Sequence, residues 1–441
     1  MTHRPSAPGP TRRSRLLVLI AVLSTVAGAC GNSPESPAVS QSSAPSTSPS
    51  AAASPAASAS SGPVSSASAD QVYTTIEGQV VDIRGLPRVD VKRQTIDEAA
   101  LKTLSAQDFD ADNPADYLAA NDRLYRALGL IPADGDVRSY FLDLIGVSAQ
   151  GFYRPQAKTL FVVSRTGQID GNDRFTFSHE YDHALQDAAF TIFHDPERFR
   201  DQSDESMARA GLYEGDATLL MTQWAIANLD AAGTQDIIRA ANDPDLAAVM
   251  TRTPQIITDN LTFPYQAGLM FVQTAFASGG WRAVDKLYAD PPRSTEQVLH
   301  PEKYTSGEEP VAVTIPPSLA KDLGAGWSVA FQDTFGEAQF ATWLREGGVA
   351  AAVAADAAAG WGGDRLAVVN GPAGAWAVVM DTVWDTPADA QAFQTAADTA
   401  VKQAGGEAGT FIGAGGTTRW VVIANDLKVF GRVANVLGLA G

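Results

Sequence analysis

Two histidines and a glutamate within residues 177–186 have the spacing that most clearly indicates chemistry. The segment reads Phe-Ser-His-Glu-Tyr-Asp-His-Ala-Leu-Gln, so in a helix His179 and His183 lie one turn apart on the same face. That spacing lets both imidazoles reach one zinc ion at about 2.0–2.1 Å. Glu180 follows the first histidine and could take a proton from a water on the metal. Chance matches are rare in a chain with only five histidines, and the alternative is a helix whose histidines are merely capped or buried.

A catalytic zinc site needs a third protein ligand, and Glu214 is the best candidate. The metzincin pattern would require a histidine six residues after His183, but that position is Ala189. His194 fits no ligand spacing and is expected at the surface. Ser203 and Asp204 are candidate N-caps for the helix that carries Glu214. Small residues would let this helix approach a neighbour closely, namely Ala210, Gly211, Gly215 and Ala217. The alternative is a solvent-exposed helical glutamate.

The two motifs together resemble those of the gluzincin class of zinc metallopeptidases, of which thermolysin is the familiar member. More closely, the chain resembles bacterial secreted proteins that share three short sequence motifs, found here at residues 179–187, 214–217 and 294–301. The resemblance covers residues 83–304 and, more weakly, the C-terminal part.

The resemblance implies a function as well as a site. It implies Zn²⁺ held by His179, His183 and Glu214, with Glu180 as the general base in peptide-bond hydrolysis. It also implies that residues 159–163 form the edge strand along which an extended peptide substrate lies.

Two positions depart from the gluzincin pattern. Asp182 is charged where such peptidases usually have an uncharged residue, and Thr218 replaces the aspartate common four residues after the third ligand. Asp187 or Asp216 could supply the carboxylate that orients a ligand histidine.

A hydrogen-bond donor to the oxyanion is usual in this chemistry, and His300, Tyr265 and Tyr304 are the candidates. His300 is the preferred one because Pro301 leaves it at the C-terminal end of a helix, which favours a protonated imidazole. The alternative is a histidine that only caps that helix.

The N-terminus has the features of an export signal. Basic residues precede an apolar run at 16–26, and Ala-Gly-Ala then leads into Cys30, the only cysteine. This end resembles a bacterial lipobox, which implies a lipid on Cys30 and a location at the extracytoplasmic face of the cell membrane. The alternatives are an ordinary cleaved signal and a single membrane anchor. The following residues are rich in serine, alanine and proline and predict a disordered tether.

These patterns divide the chain into a signal at 1–29, a tether at 30–72, a metallopeptidase domain at 73–310 and a C-terminal region at 311–441. The fold class expected is α+β, with a zincin-like, mostly helical catalytic domain, a small sheet and a smaller C-terminal α+β region. The elements predicted in the first part are a strand at 73–81, helices at 97–104, 114–128 and 137–145, a hairpin of 151–153 with 159–163, and helices over 175–287. The C-terminal region predicts the order β-β-α-β-β-α, with strands at 366–369, 375–381 and 419–423 and helices at 387–403 and 427–437.

Composition excludes several classes of function. The formal net charge of −18 argues against a nucleic-acid partner, and a single cysteine excludes a disulfide framework. The sequence therefore predicts a membrane-tethered, extracytoplasmic zinc peptidase acting on a peptide or protein substrate. The alternative is a catalytically inactive zincin-fold lipoprotein that binds a partner in the cell envelope.

Overall fold

The structure, a computed structural model, describes residues 17–20, 66–165, 167–190 and 199–439. Cys30, His194 and most of the predicted signal and tether lie outside these ranges. Among the described residues, no helix combines the length and apolarity needed to cross a bilayer.

The described residues form helices and strands in both halves of the chain, which confirms the α+β class. The helices are α1 Ser66–Arg84, α2 Glu98–Asp112, α3 Ala115–Ala127, α4 Val137–Ser148, α5 Gly171–Phe190, α6 Ser203–Asn228, α7 Ala231–Ala241, α8 Pro244–Arg252, α9 Gln255–Gly279, α10 Trp281–Leu287, α11 Thr295–Leu299, α12 Pro301–Ser306, α13 Leu319–Leu323, α14 Gly336–Glu346, α15 Ala351–Ala358, α16 Pro387–Ala400 and α17 Leu427–Val436. The strands are β1 Leu17–Ile20, β2 Lys92–Ile96, β3 Ala149–Arg154, β4 Thr159–Val163, β5 Ser328–Asp333, β6 Trp361–Asn370, β7 Trp376–Trp384, β8 Glu407–Ile412 and β9 Thr418–Ala424. Two 3₁₀ turns lie at Pro372–Gly374 and Val401–Gln403.

Residues 66–84 form the helix α1, so the prediction of a strand at 73–81 and of a tether up to residue 72 was wrong. Tyr73, Ile76 and Val80 recur at helical spacing and are buried on one face of α1. The Tyr73 ring stacks on Phe177 of α5, with ring centroids 4.3 Å apart. The β-branched residues of this segment resemble a strand pattern, but the buried positions follow the 3.6-residue period.

The small N-terminal sheet consists of β2, β3 and β4, with the short β1 along the outer edge of β3. The β3–β4 hairpin was predicted and is confirmed. The expectation that residues 159–163 form an edge strand was wrong, because β4 pairs with β3 on one side and in parallel with β2 on the other. Sequence alone could not reveal β2, since its partner in the sheet follows it by some sixty residues of chain.

The C-terminal sheet is five-stranded and antiparallel, in the order β5-β6-β7-β9-β8. The predicted succession of two strands, a helix, two strands and a helix is confirmed as β6 to α17. The sequence did not predict β5, α14 and α15. Apolar residues of this sheet and of α14 share one core with α3 and the start of α9, as at Leu124, Ile256 and Phe340. The C-terminal region is thus packed directly on the helical region.

Candidate metal centre

Helix α5 carries the two histidines and packs against α6, which carries Glu214. All three side chains are buried, and their ligand atoms converge. His179 Nε2 lies 3.0 Å from His183 Nε2 and 3.0 Å from Glu214 Oε2, and His183 Nε2 lies 3.2 Å from the same oxygen. This arrangement brings the three predicted ligands to a single point.

The donor set fits a zinc ion. Bonds of about 2.0–2.1 Å in a tetrahedral arrangement separate ligand atoms by about 3.3 Å, and the separations in the structure are 3.0–3.2 Å. Two imidazoles and one carboxylate are also the ligands of catalytic zinc sites that leave a fourth position open. The three side chains could therefore hold zinc after movements of a few tenths of an ångström.

A close crossing of α6 and α9 positions Glu214. Gly268 of α9 faces Gly211 and Gly215 of α6, and a Cβ added at Gly215 would overlap the Gly268 carbonyl group. The prediction that small residues allow close helix approach is confirmed, but the closest approach is to α9 rather than to the histidine helix.

The start of α6 is capped differently from the prediction. Its N-cap is Gln202, which makes no side-chain capping bond. Instead Asp333 of β5 accepts hydrogen bonds from the Ser203 amide, at 2.7 Å, and from the Ser203 hydroxyl. Asp204 accepts bonds from Thr295. A carboxylate of the C-terminal region therefore anchors the helix that carries the third ligand.

Glu180 lies next to the ligand cluster and is fully buried. Neither carboxylate oxygen makes a hydrogen bond of ordinary geometry to a described residue. Burial raises the pKa of Glu180 to about 8, whereas the charge of His183 and the backbone of Tyr153 act to lower it. A buried carboxyl group without a partner is costly unless a ligand or water satisfies it, so Glu180 has the environment of a general base.

The electrostatics of the ligands favour a cation among them. Burial lowers the pKa of His179 to about 4, so this imidazole is neutral. Burial opposes ionisation of Glu214, but the charges and hydrogen bonds of the two histidines lower its pKa to about 2. Burial opposes protonation of His183, but the charge and hydrogen bond of Glu214 raise its pKa to about 10. The Glu214 carboxylate is thus held in its charged form by a positive charge on His183, which a metal ion would replace.

The ring of His183 is oriented by Gln186, which the sequence analysis did not anticipate as a site residue. His183 Nδ1 lies 3.0 Å from Gln186 Oε1, so when the Nδ1–H group donates to this oxygen, Nε2 is the atom that would bind a metal. Gln186 Nε2 in turn donates to Asp182 Oδ2 at 3.0 Å and to the Tyr213 carbonyl at 3.1 Å. Asp182, a departure from the peptidase motif, therefore has a hydrogen-bond partner in Gln186. The only sequence signal for Gln186 is its position three residues after His183.

The two aspartates proposed to orient a ligand histidine have other partners. Asp187 Oδ2 accepts a hydrogen bond from the Tyr153 hydroxyl at 3.0 Å. Asp216 accepts from Arg84 and from the Tyr288 hydroxyl, the latter at 2.6 Å. Both aspartates are buried on the helices that carry the ligands, and the tyrosine and arginine side chains that donate to them are not metal ligands.

The three candidate oxyanion donors lie in different places. The Tyr265 ring stacks on His179, with ring centroids 6.1 Å apart. The Tyr304 hydroxyl donates to the Asp290 carbonyl at 2.7 Å. His300 lies at the end of α11, as predicted, and its Nε2 is 2.9 Å from Glu337 of α14. Of the three, only Tyr265 is in contact with a ligand histidine.

A second group of carboxylates outside the histidine cluster is already neutralised. Glu296, Glu308 and Asp385 could bring oxygens together, but Lys303 Nζ lies 2.6–3.0 Å from all three. The ammonium group supplies the cation at this position, so the group functions as an ion-pair cluster between the two regions.

Comparison with known proteins concerns only the C-terminal region. Residues 328–434 match the family described as Domain of unknown function (DUF8575). No curated protein and no solved structure matches the chain. The match covers the five-stranded sheet and does not include the candidate metal centre. The chemistry of that centre is therefore inferred from its own residues alone.

Proposed function

We propose that the protein is a zinc-dependent peptidase of the gluzincin type. The observation that carries this proposal is the convergence of His179, His183 and Glu214 beside Glu180, a buried carboxyl group to which no described side chain donates a hydrogen bond. Structural zinc sites are closed by four protein ligands, whereas three ligands beside a free acid–base group are typical of hydrolytic sites.

The residues divide the work of hydrolysis. Zinc held by the three ligands would acidify water and polarise a carbonyl group. Glu180 takes the proton of the attacking water and later returns it to the leaving amine. The raised pKa of Glu180, about 8, suits a group that must both accept and donate a proton near neutral pH. Gln186 keeps the His183 ring in the orientation that its ligand role requires.

Tyr265 is the oxyanion donor that the contacts favour. Its ring lies against His179, which places this side chain beside the proposed metal centre. His300 was the preferred donor from sequence, but its Nε2 is engaged with Glu337. A phenol can donate one hydrogen bond to a developing negative charge without carrying charge itself.

The substrate strand is better assigned to β3 than to β4. A Cβ added at Gly151 would lie 3.4 Å from Glu180 Cγ, so the backbone of β3 passes directly over the general base. The outer edge of β3 pairs with β1, a segment of the predicted signal peptide. Removal of that signal would free the edge for an extended peptide bound by main-chain hydrogen bonds.

The test measures zinc binding and proteolysis separately. The purified mature chain should contain one zinc, and His183→Ala should lose it because a ligand is removed. The wild type should cleave an unstructured protein such as casein, a zinc chelator should stop cleavage, and added zinc should restore it. Glu180→Gln should retain zinc and fold but lose nearly all turnover, since an amide cannot accept the proton.

Two results would contradict the proposal. Full zinc occupancy in His183→Ala would show that His183 is not a zinc ligand and would refute the proposed metal centre. A zinc-loaded wild type that cleaves no peptide at any pH, with the same behaviour as Glu180→Gln, would favour the inactive, partner-binding alternative.

A further inference from the structure

Arg84, the last residue of α1, is a buried cation that the proposed hydrolysis does not use. Its side chain has no exposed surface. The rings of Trp281 and Phe190 cover it, with centroids 4.7 and 5.9 Å from its Cζ. A guanidinium group inside a protein is costly unless carboxylates pair with it, so its partners indicate what it does.

Those partners lie on three helices. Arg84 Nε and Nη2 donate to the two oxygens of Asp216, at 3.0 and 2.9 Å, in a bidentate pair. Nη1 donates to Asp285 of α10 at 2.7 Å. On the Nε side, Asp182 Oδ1 lies 3.9 Å away. Arg84 thus contacts α5 and α6, the two helices that hold every metal ligand.

Both contacts on the ligand helices are adjacent to ligands. Asp216 follows Glu214 by two residues on α6. Asp182 immediately precedes His183 on α5, and it is joined to the His183 ring through Gln186, with each hydrogen bond 3.0 Å long. A single guanidinium group therefore links Asp182 and Asp216, which lie beside the second and third ligands on α5 and α6.

We propose that Arg84 is a positioning residue of the metal centre, which holds α5 and α6 in the relative position that brings His183 and Glu214 to one ion. This inference rests on the proposed zinc site but not on peptidase activity. The alternative is that Arg84 contributes only to the stability of the fold.

The test compares Arg84→Lys with Asp285→Asn in the full mature chain. Lysine keeps the charge but cannot make the bidentate pair, so zinc affinity should fall by about 10- to 100-fold. Asp285→Asn weakens the Nη1 contact, on the opposite side from Asp182, and should lower thermal stability while leaving zinc affinity unchanged. Affinity is measured by competition with a chromophoric chelator, and the absorption spectrum of bound Co²⁺ reports ligand geometry independently of turnover.

The outcomes separate the two hypotheses. Weaker zinc binding and an altered Co²⁺ spectrum in Arg84→Lys, with neither change in Asp285→Asn, support the positioning role. Wild-type affinity in Arg84→Lys overturns it. If Arg84→Lys does not fold, Gln186→Leu is measured instead, and it must weaken zinc binding. Unchanged zinc affinity in Gln186→Leu would overturn the proposed link from Arg84 through Asp182 and Gln186 to His183. Zinc binding without cleavage in the wild type would contradict only the proposed function.

Discussion

Gly215→Ala tests whether the α6–α9 crossing holds Glu214 in place. A Cβ added at Gly215 would overlap the Gly268 carbonyl group and lie 2.9 Å from the Leu269 nitrogen, where ordinary contacts of a Cβ begin at 3.4 Å. The obstacle is backbone, which cannot rotate away, so the helices must separate. Overpacking of this kind costs about 1–3 kcal/mol, against which alanine recovers about 0.5–1 kcal/mol of helix propensity.

Because the contact is between two backbones, we expect the upper end of that range and a net loss of about 2 kcal/mol. In a region of this size that corresponds to a melting temperature lower by about 4–8 °C. Glu214 precedes Gly215, and metal–ligand distances tolerate only about 0.2 Å, so zinc affinity should also fall by about tenfold or more.

Gly78→Ala is the matched control. Gly78 also lies inside a helix, but apart from its chain neighbours and the backbone of its own helix, no atom of the described residues lies within 4 Å of a Cβ added there. This variant should gain about 0.5–1 kcal/mol and bind zinc like the wild type. Thermal unfolding of the metal-free chains and chelator competition measure both quantities. A Gly215→Ala protein as stable as Gly78→Ala, with unchanged zinc affinity, would refute the reasoning.

Further predictions concern Tyr265, the pair of His300 and Glu337, and Cys30. Tyr265→Phe should lower kcat by about 10²–10³-fold with little change in KM or zinc content if the hydroxyl stabilises the oxyanion; an unchanged kcat would remove it from that role. The Glu337 side chain raises the pKa of His300 above 6.5, so Glu337→Gln should return it towards that value in an NMR titration. The stability contributed by charged His300 is present below pH 6.5 and lost as pH rises through its raised pKa. We therefore expect His300→Ala to lower the melting temperature at pH 6 more than at pH 9. A large loss of kcat at unchanged stability would instead restore His300 as the oxyanion donor. Cys30→Ala should move the protein out of the detergent phase in a partition assay, since a lipid on Cys30 is the predicted anchor; an unchanged membrane fraction would point to an uncleaved apolar helix.

The local sequence determined the chemistry of the centre. The i, i+4 spacing of His179 and His183 places both imidazoles on one face of one helix, as the proposed metal site requires, and no distant contact is needed for this. The cluster of small residues around Glu214 likewise predicted a tight helix contact before the partner was known. The starts of α2, α3 and α4 followed from local periodicity and from caps such as Asp97, whose carboxylate accepts from the Ala100 amide. The end of α2 did not, because the helix predicted over 97–104 continues to Asp112.

Tertiary structure decided which residues surround that chemistry. Arg84 and Tyr288 reach Asp216 from 132 and 72 residues away along the chain, and nothing in their local sequence marks them as neighbours of a metal centre. His300 is directed to Glu337 by the packing of the C-terminal region, and β4 became a central strand because β2 pairs with it in parallel. Short-range spacing fixes geometry within one helix, whereas buried charge pairs and sheet order depend on which distant segments the folded chain brings together.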